Sequence, residues 1–314
     1  MGRAPRPPAA PGAGRHCLGG RRVSPVSDAG AIPIDGTTPL AGVIGWPVAH
    51  SCSPFIHNEW LRRLRLPGAY VPLPVRPGEL RAALHGLRAA GFRGVNVTAP
   101  HKEEAFGLCD RVSDTARRCG AANTLVFDAD GIGGDNSDGA GFLLSLRAAG
   151  VEPRSLRSAL LLGAGGAARA VAVALEDQGI AVSLCNRGAD RAAALARDLD
   201  GTPTVLPWET RHDAVRGVDL LVNTTSLGTG GQPSEPVCRL DAAFPHLVVA
   251  DIVYRPADTP LLRHAAARGL RTVGGLWMLI GQATVGFERW FGAAPSADRA
   301  IHDHVSALLA AAAS

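Results

Sequence analysis

The segment NVTAPHKE (96–103) contains Lys102, which is the only lysine of the chain, since the other 31 of its 32 basic residues are arginine. Alanine, glycine, proline and arginine are abundant, as is typical of a sequence shaped by GC-rich codons. A lysine retained under that bias is either a chance survivor or a residue whose role arginine cannot fill. Arginine is not deprotonated in proteins, whereas a lysine ammonium can exchange its proton. The sequence therefore makes Lys102 a candidate for proton transfer.

Small polar residues follow two predicted strands close to this lysine. Ser51 and Ser53 come after the first strand of the chain, and Asn96 and Thr98 end another strand beside Lys102. Ligands of open α/β sheets bind beyond the carboxyl ends of strands. Ser53 alone could simply cap its helix. As a pair near a helix N-terminus, the serines could hold a carboxylate through their hydroxyl groups and the helix dipole.

Two further polar residues lie in short glycine-containing segments. Asn123 belongs to GAANT (120–124), and Asp138 belongs to GDNSDGAG (134–141). Each has a local explanation, as a loop or a turn residue. Considered with the preceding groups, they predict a single cleft. Its hydroxyls, amides and Lys–Asp pair suit a small polyhydroxylated molecule of low charge.

The segment GAGGAA (163–168) follows an apolar strand and opens a predicted helix, in agreement with the pattern G-x-G-x-x-G/A. In that pattern Gly163 allows the tight turn and Gly165 lets the backbone approach a pyrophosphate. Ala168 permits close packing of helix and strand, and the helix N-terminus attracts phosphate. We predict a dinucleotide site here, the alternative being a plain tight turn.

The next predicted strand ends at Asn186 and Arg187, with Arg191 one helical turn further on. An NAD site of this kind carries an acidic residue at about this place, because its carboxylate holds the ribose hydroxyls. Guanidinium groups instead pair with a 2′-phosphate. These residues favour NADP over NAD, the alternative being ordinary solvated arginines at a strand tip.

The elements that position these residues alternate between strand and helix, which predicts βαβ units and parallel sheets. The first series of predicted elements comprises strand 41–45, helix 53–64, strand 69–75, helix 78–91, strand 92–99 and helix 101–109. The second comprises strand 158–162, a helix ending near 179, and strands 181–187, 218–223, 246–254 and 271–275. Two final helices, 276–291 and 296–313, have no strand left to join, and we expect them to pack on the first series.

Composition restricts the class of protein. Hydrophobic residues make up 46% of the chain, which is enough apolar material for a core. The net charge is only +4 and the basic residues are scattered rather than concentrated in one stripe, so we expect no nucleic-acid partner. The six cysteines form no CxxC pair, which favours reduced thiols in the cytoplasm and predicts no metal site. No apolar run is long enough to predict a membrane span. Residues 1–37 are rich in Pro, Gly, Ala and Arg, and we expect them to form a disordered extension.

Taken together, the motifs resemble those of the shikimate dehydrogenase family over roughly residues 38–310. The resemblance rests on GWPVAHSCSPFIHN (45–58), GVNVTAPHKE (94–103), CGAANT (119–124), GDNSDGAGF (134–142), GAGGAARA (163–170), NR (186–187), NTTSLG (223–228), DIVYRPADTPLL (251–262) and GGLWMLIGQA (274–283).

The resemblance implies an α/β fold in which an N-terminal substrate-binding domain and a Rossmann-type NADP-binding domain enclose a cleft. We expect residues 38–138 plus 275–314 to form the first domain and 139–274 the second. It implies that Lys102 is catalytic and that Asp138 is its partner. The implied substrate-binding residues are Ser51, Ser53, Asn96, Thr98, Asn123, Tyr254 and Gln282. The expected cofactor-binding residues are Gly163, Gly165, Gly166, Ala167, Asn186, Arg187, Arg191 and Gly275.

The implied reaction is the reversible reduction of 3-dehydroshikimate to shikimate with NADPH, by a monomer or a homodimer acting on a small-molecule substrate. The sequence departs from the family at Gly188, where threonine is common and would offer a hydroxyl to the 2′-phosphate. Two alternatives remain open. One is a related dehydrogenase acting on quinate or an amino-substituted analogue, and the other is a non-catalytic nucleotide-binding protein with the same fold.

Overall fold

The computed structural model describes residues 34–199, 202–229 and 235–311. The predicted disordered extension, residues 1–37, lies outside the described residues except for its last four positions. There the Asp35 carboxylate accepts hydrogen bonds from the backbone amide and the hydroxyl of Thr37, at 2.8 and 2.7 Å, which forms a local turn.

A mixed sheet of six strands is built from the first half of the described chain. Its strands are β1 (Leu40–Gly45), β2 (Ala69–Pro74), β3 (Gly94–Val97), β4 (Arg111–Val112), β5 (Thr124–Asp128) and β6 (Gly131–Asp135). The order across the sheet is β2-β1-β3-β5-β6-β4. β1 pairs in parallel with β2 and β3, whereas β5 runs antiparallel to β3 and β6. The parallel pairing predicted for the three strands of this series holds for β1, β2 and β3. The sequence analysis did not predict β4, β5 or β6, and of these β4 pairs in parallel with β6.

Five helices belong to this half of the chain, and the last of them leads from β6 to the second sheet. They are α1 (Ser53–Leu64), α2 (Leu80–Ala89), α3 (Lys102–Gly107), α4 (Asp114–Cys119) and α5 (Asp138–Ala148). In α2, Leu80 and Leu84 lie four residues apart and are completely buried, which is the spacing that brings side chains to one face of a helix. They pack beneath β1 and β3, in the same cluster as Ile44 and Val97.

The second sheet is entirely parallel. Its strands are β7 (Ser158–Leu162), β8 (Ala181–Cys185), β9 (Thr204–Leu206), β10 (Leu220–Asn223), β11 (Val248–Asp251) and β12 (Arg271–Gly274). The order is β12-β11-β10-β7-β8-β9, so the direction of winding reverses between β7 and β10. This reversal is the point at which open parallel sheets leave a crevice for a ligand. β10 is buried along its whole length, as expected for a strand covered on both faces.

The helices of the second half are α6 (Gly166–Glu176), α7 (Ala189–Asp198), α8 (Pro260–Ala267), α9 (Gly275–Phe291) and α10 (Arg299–Ala311). α9 returns to the first sheet, where the Trp290 indole donates a hydrogen bond to the Leu125 carbonyl oxygen at 3.0 Å. α9 also packs closely along α5. The approach is so close that a Cβ on Gly141 would lie 2.6 Å from the Met278 carbonyl oxygen. The two helices through which the chain passes from one sheet to the other, α5 and α9, thus lie side by side.

Within the described residues, no helix combines the length and the apolar character needed to cross a membrane. The five described cysteines, namely Cys52, Cys109, Cys119, Cys185 and Cys238, are free thiols.

Candidate active site

A cavity of about 610 Å³ lies where the carboxyl ends of β1 and β3 face those of β7, β10 and β11. The predicted site residues that line it are Ser51, Ser53, Asn96, Thr98, Lys102, Asn123, Asp138, Gly165, Gly166, Ala167, Arg191, Tyr254, Gly275 and Gln282. The predicted Gly163, Asn186 and Arg187 do not line it. The structure therefore brings residues from nearly the whole length of the described chain around one space.

Lys102 and Asp138 form an ion pair inside this cavity. The Lys102 ammonium (Nζ) donates to Asp138 Oδ2 at 2.5 Å. The lysine side chain is 20% exposed and the aspartate side chain 8%. Lys102 is the first residue of α3, directly after the loop that follows β3, and Asp138 is the first residue of α5. The helix N-terminus favours the negative charge of the aspartate, and two N–H groups of the lysine stay available for a ligand.

A network of amides fixes the carboxylate of Asp138. Asn123 Nδ2 donates to Asp138 Oδ1 at 2.7 Å. Asn123 Oδ1 accepts from the Ser137 backbone amide at 2.9 Å and from the Thr124 hydroxyl at 3.0 Å, so the orientation of its amide is determined. Each carboxylate oxygen keeps a lone pair for a further donor. Asp138 can therefore orient Lys102 and at the same time accept a hydrogen bond from a ligand hydroxyl.

The Asn96 amide is largely occupied by the protein itself. Its Oδ1 accepts from the Tyr70 hydroxyl at 2.6 Å, and its Nδ2 donates to the Asn123 carbonyl oxygen at 3.1 Å. Asn96 is 4% exposed but lines the cavity. An amide oxygen has two lone pairs, and one of those on Asn96 Oδ1 is used by Tyr70. Asn96 therefore offers a ligand one acceptor position at most. Tyr70, which holds this amide, is a residue that the sequence analysis did not identify.

The two serines lie at the beginning of α1. That helix starts at Ser53, and the side chain of Cys52, which is in the capping position, makes no cap hydrogen bond. Ser51 Oγ accepts from the Ser53 backbone amide at 3.3 Å. The Ser53 hydroxyl is therefore not used as the helix cap that its sequence position allowed. Hydroxyl groups beside a helix N-terminus, where the helix dipole favours negative charge, form a suitable site for a carboxylate.

The glycine turn between β7 and α6 has the shape that a pyrophosphate requires. Gly163 has φ +116°, which favours glycine, and a Cβ there would lie 2.5 Å from Thr224 Oγ1. A Cβ on Gly165 would meet only the Arg191 guanidinium, at 3.9 Å, and a Cβ on Gly166 only the Lys102 Cδ, at 3.9 Å. The backbone of Gly165 and Gly166 thus faces open space at the start of an 11-residue helix, so these residues fit a dinucleotide phosphate.

The predicted 2′-phosphate residues divide into two groups. Arg191 lines the cavity beside Gly165, and its backbone amide donates to the Gly188 carbonyl oxygen at 3.2 Å. Asn186 uses its amide within its own turn, donating to the same carbonyl oxygen at 2.9 Å. Arg187 is exposed outside the cavity. Of the described residues in this strand tip, Arg191 is the cation that faces the glycine turn.

The start of α9 and the segment after β11 close the cavity on the remaining side. A Cβ on Gly275 would lie 2.2 Å from the Ile252 carbonyl oxygen, so only glycine fits there. Gln282 Nε2 donates to the Leu279 carbonyl oxygen at 2.9 Å, which leaves its Oε1 for a ligand. Burial raises the pKa of Tyr254 to about 12, so its phenol is neutral and able to donate.

Sequence reasoning missed several cavity residues. They are Val43, Val97, Ala99, Pro100, Glu103, Thr224, Ile252, Met278 and Leu279. Thr224 and Ile252 fall inside motifs that the sequence analysis quoted, and their positions directly after β10 and β11 are the signal that could have identified them. In the part of the chain that the structure describes, no group of three His, Cys, Asp or Glu side chains could hold a metal ion.

Comparison with protein families gives two matches along the chain. A family model described as the shikimate dehydrogenase substrate binding domain matches residues 43–125, and one described as shikimate / quinate 5-dehydrogenase matches residues 149–252. The chain is 54% identical over 277 residues to "Shikimate dehydrogenase (NADP(+))" of Acidiphilium cryptum, covering 88% of this chain and 99% of that protein. It is 52% identical over 277 residues to the protein of the same name from Gluconobacter oxydans, covering 88% and 98%.

The chain also resembles solved structures. One is shikimate 5-dehydrogenase from Thermus thermophilus in complex with NADP(H) and shikimate, with 36% identity and a TM-score of 0.76. The similarity covers 87% of this chain and 100% of that one.

Proposed function

The chain belongs to the shikimate dehydrogenase family, and on that premise we propose that it catalyses the reversible NADP-dependent reduction of 3-dehydroshikimate to shikimate. The observation that carries the proposal is the position of Lys102. Its ammonium is paired with Asp138, and its Cδ lies 3.9 Å from the β position of Gly166 in the glycine turn. The Lys102 ammonium, a proton donor, therefore lies between the polar side chains beyond the first sheet and the glycine turn of the second sheet.

The residues suited to the cofactor are those of the glycine turn and its surroundings. Gly165, Gly166 and Ala167 present open backbone at the N-terminus of α6, and Arg191 supplies a cation beside them for a phosphate. Gly275 leaves room at the other end of the cavity. We assign Gly163, Asn186 and Arg187 to the support of this site. When bound, NADPH supplies the hydride.

The substrate side follows from the donors that converge there. Ser51 and Ser53 at the start of α1 would bind the ring carboxylate, and Tyr254 would add a neutral hydroxyl donor. The ring hydroxyls would form hydrogen bonds with Thr98, Asn123 and Gln282. Asn96 has little hydrogen-bonding capacity left, so its role is to hold β3 against β5 and to offer one acceptor.

Lys102 would provide the proton for the ketone reduction. As negative charge develops on the oxygen of the ketone, Lys102 Nζ transfers a proton to that oxygen, and Asp138 keeps the amine oriented through its Oδ2. In the reverse direction the neutral amine takes the proton from the hydroxyl. General acid–base catalysis of this kind contributes about 10²–10⁴-fold to the rate.

We also propose the division of the chain that the sequence predicts. Residues 38–138 plus 275–314 would bind substrate, and residues 139–274 would bind NADP. The return of α9 to the first sheet through Trp290 supports this division. The free thiols of the described cysteines are consistent with a protein acting in the cytoplasm, as a monomer or a homodimer. Light scattering of the purified protein would distinguish the two oligomeric states.

A second candidate function is the oxidation of quinate or an amino-substituted analogue. The family description itself includes quinate, and Gly188 offers no hydroxyl to a 2′-phosphate. The experiment that decides is a matrix of rates for shikimate, quinate and an amino analogue, each with NADP⁺ and NAD⁺, followed by absorbance of the reduced cofactor. We expect kcat/KM for shikimate with NADP⁺ to exceed every other combination by at least about tenfold.

Two results of the matrix would contradict the proposal. A higher kcat/KM with quinate or with the amino analogue would support the related dehydrogenase instead. Absence of turnover with every combination, in a protein that binds NADPH, would support the non-catalytic alternative.

A further inference from the structure

Asp251 lies at the end of β11 and is only 2% exposed, yet it does not line the cavity. Its carboxylate accepts three hydrogen bonds from three different segments. Oδ1 accepts from Asn223 Nδ2 and from the Val253 backbone amide, both at 3.0 Å. Oδ2 accepts from the Thr259 hydroxyl at 2.8 Å. None of these partners, all within the described residues, carries a positive charge. Neutral hydrogen-bond donors, and no ion pair among them, therefore hold the buried carboxylate.

The first of these bonds fixes the amide of Asn223, the last residue of β10. Asn223 Nδ2 also donates to the Leu227 carbonyl oxygen at 2.9 Å. Asn223 Oδ1 accepts from the backbone amide and the hydroxyl of Thr225, at 3.1 and 2.7 Å. An ionised carboxylate can only accept, so the opposite orientation of the amide would set two oxygens against each other. Asp251 thereby determines the conformation of the loop 223–228.

That loop supports the glycine turn. Thr224 lines the cavity, and its hydroxyl donates to the Leu162 carbonyl oxygen at 2.7 Å. A Cβ on Gly163 would lie 2.5 Å from the same hydroxyl oxygen. A movement of Thr224 would therefore be transmitted directly to the turn that would carry the pyrophosphate.

The other two bonds fix the opposite wall of the cavity. The bond from the Val253 amide shapes the backbone between Ile252 and Tyr254, both of which line the cavity. The Thr259 hydroxyl, held by Asp251, also accepts from the Leu262 backbone amide at 3.3 Å and so caps α8. One buried carboxylate thus joins the loop beside the glycine turn to the wall that contains Tyr254.

We propose that Asp251 is a positioning residue for the cofactor, which acts through Asn223 on the glycine turn and through Val253 on the Ile252–Tyr254 wall. The inference rests on the proposed function, since it assumes that the cavity binds NADP(H). It assigns Asp251 no contact with cofactor or substrate.

The test is Asp251→Asn in the full chain, because asparagine keeps the shape and places an NH₂ group among three donors. We expect the Kd for NADPH, measured by fluorescence titration without substrate, to rise about tenfold at pH 7.5, and KM for NADP⁺ to rise with it. At saturating NADP⁺, kcat should change less than threefold, because Lys102 and Asp138 are untouched.

The pH dependence separates positioning from loss of stability. Burial raises the pKa of Asp251 to about 6, so in acid the wild-type carboxyl itself gains an O–H donor, as the variant gains an NH₂ group. The ratio of the variant Kd to the wild-type Kd should therefore fall from about ten at pH 7.5 to about two at pH 5. A ratio also cancels the titration of the cofactor phosphate. Tyr254, in the wall that Asp251 shapes, and Cys52, which interacts with Tyr254, have pKa values raised by burial and stay neutral throughout this range.

Asp219→Asn is the matched control. Asp219 accepts from the backbone amides of Arg157 and Ser158, at 2.6 and 3.1 Å, beyond the opposite end of the same sheet. Its removal should leave the Kd for NADPH within twofold of the wild type. An equal rise in both variants, or an unchanged Kd in Asp251→Asn, would overturn the inference.

If Asp251→Asn fails to fold, the pair Thr259→Val and Thr259→Ser replaces it. Serine keeps the hydroxyl and should bind NADPH as the wild type does, whereas valine should weaken binding about threefold. Equal affinity in the two variants would count against the inference. A wild type that binds NADPH but does not oxidise shikimate would refute the proposed function and leave this inference standing.

Discussion

At position 102, lysine and arginine would carry the same positive charge, but only lysine could release a proton. An arginine could keep the ion pair with Asp138 and still bind an oxygen of the ligand. Its guanidinium would not release a proton to a developing alkoxide. The side chain is partly exposed to the cavity, so the pairing with Asp138 leaves it accessible.

We expect Lys102→Arg to lower kcat by about 10²–10⁴-fold, because the charge survives and the proton transfer does not. Steady-state rates of shikimate oxidation with NADP⁺ measure this directly. The affinity for NADPH, determined by fluorescence titration, should remain within about threefold of the wild type. Turnover close to that of the wild type would remove Lys102 from the mechanism.

Individual site residues were predictable to the extent that they follow strands. Ser51 and Thr98 were found in this way, and the structure places both on the cavity. The pairing of Tyr70 with Asn96 was not, because the two side chains come from β2 and β3, on either side of β1, and are 26 residues apart in the chain. A local pattern contains no information on which side chain satisfies which amide.

Among the elements, the turn from β7 to α6 has two glycines with different requirements. Gly163 has a positive φ and a close contact with Thr224, so the fold itself needs glycine there. Gly165 has φ −97°, which any residue adopts, and free space at its β position. The fold does not explain the second glycine, whereas the approach of a phosphate to the backbone does.

Alanine substitutions should separate these two requirements. Gly163→Ala should lower the free energy of unfolding by roughly 2 kcal/mol or more, through backbone strain and the overlap with Thr224. Gly165→Ala should leave stability within about 0.5 kcal/mol of the wild type and weaken NADPH binding by about tenfold or more. Urea unfolding and fluorescence titration measure the two effects. Equal losses of stability in the two variants would contradict this assignment.

The elements of the βαβ series were predictable from apolar runs and helix periodicity, but the β5–β6 hairpin was not. The sequence of β6, GIGGD, has little intrinsic preference for a strand. Two of its glycines are required by the segment packed over it. A Cβ on Gly131 would lie 2.1 Å from Asp110 Oδ2, and one on Gly134 would lie 2.5 Å from Cys109 Sγ. That strand is set by tertiary contact, which a local pattern does not reveal.

In the molecule as a whole, the chain passes between the two sheets through α5 and returns through α9. Gly141 and Gly281 allow these helices to touch, since a Cβ on Gly281 would lie 3.0 Å from the Gly141 Cα. The same contact brings Asp138, at the start of α5, near Gln282 on α9, and both line the cavity. The connections between the halves therefore also build the proposed catalytic centre.

A buried histidine should couple the stability of the whole molecule to pH. Burial lowers the pKa of His57 to about 3, and its ring stacks on Tyr70 at 3.8 Å between ring centres. The unfolded chain binds a proton below about pH 6.5 and the folded one does not, so His57 contributes full stability above that pH and loses it as pH falls. Between pH 7.5 and 5 the loss is roughly 2 kcal/mol.

The variant His57→Phe, which keeps the ring stacked, should lack this part of the acid dependence. Urea unfolding of both proteins at several pH values provides the measurement. Above pH 7 the two stability curves should run parallel, which serves as the internal control. If they also run parallel between pH 7 and 5, the histidine is not the group responsible.

A chain with one lysine has a single side-chain amine, and here that amine lies in the proposed catalytic cavity. An acylating reagent can therefore mark this position without any engineered tag, the α-amino group being the other amine of the polypeptide. The mass of the intact protein would count the modification, and protection by shikimate would report occupancy of the cavity. Isotope-labelled lysine would likewise give one ammonium signal by nuclear magnetic resonance. The codon bias that made Lys102 conspicuous thus also supplies the protein with its own spectroscopic probe.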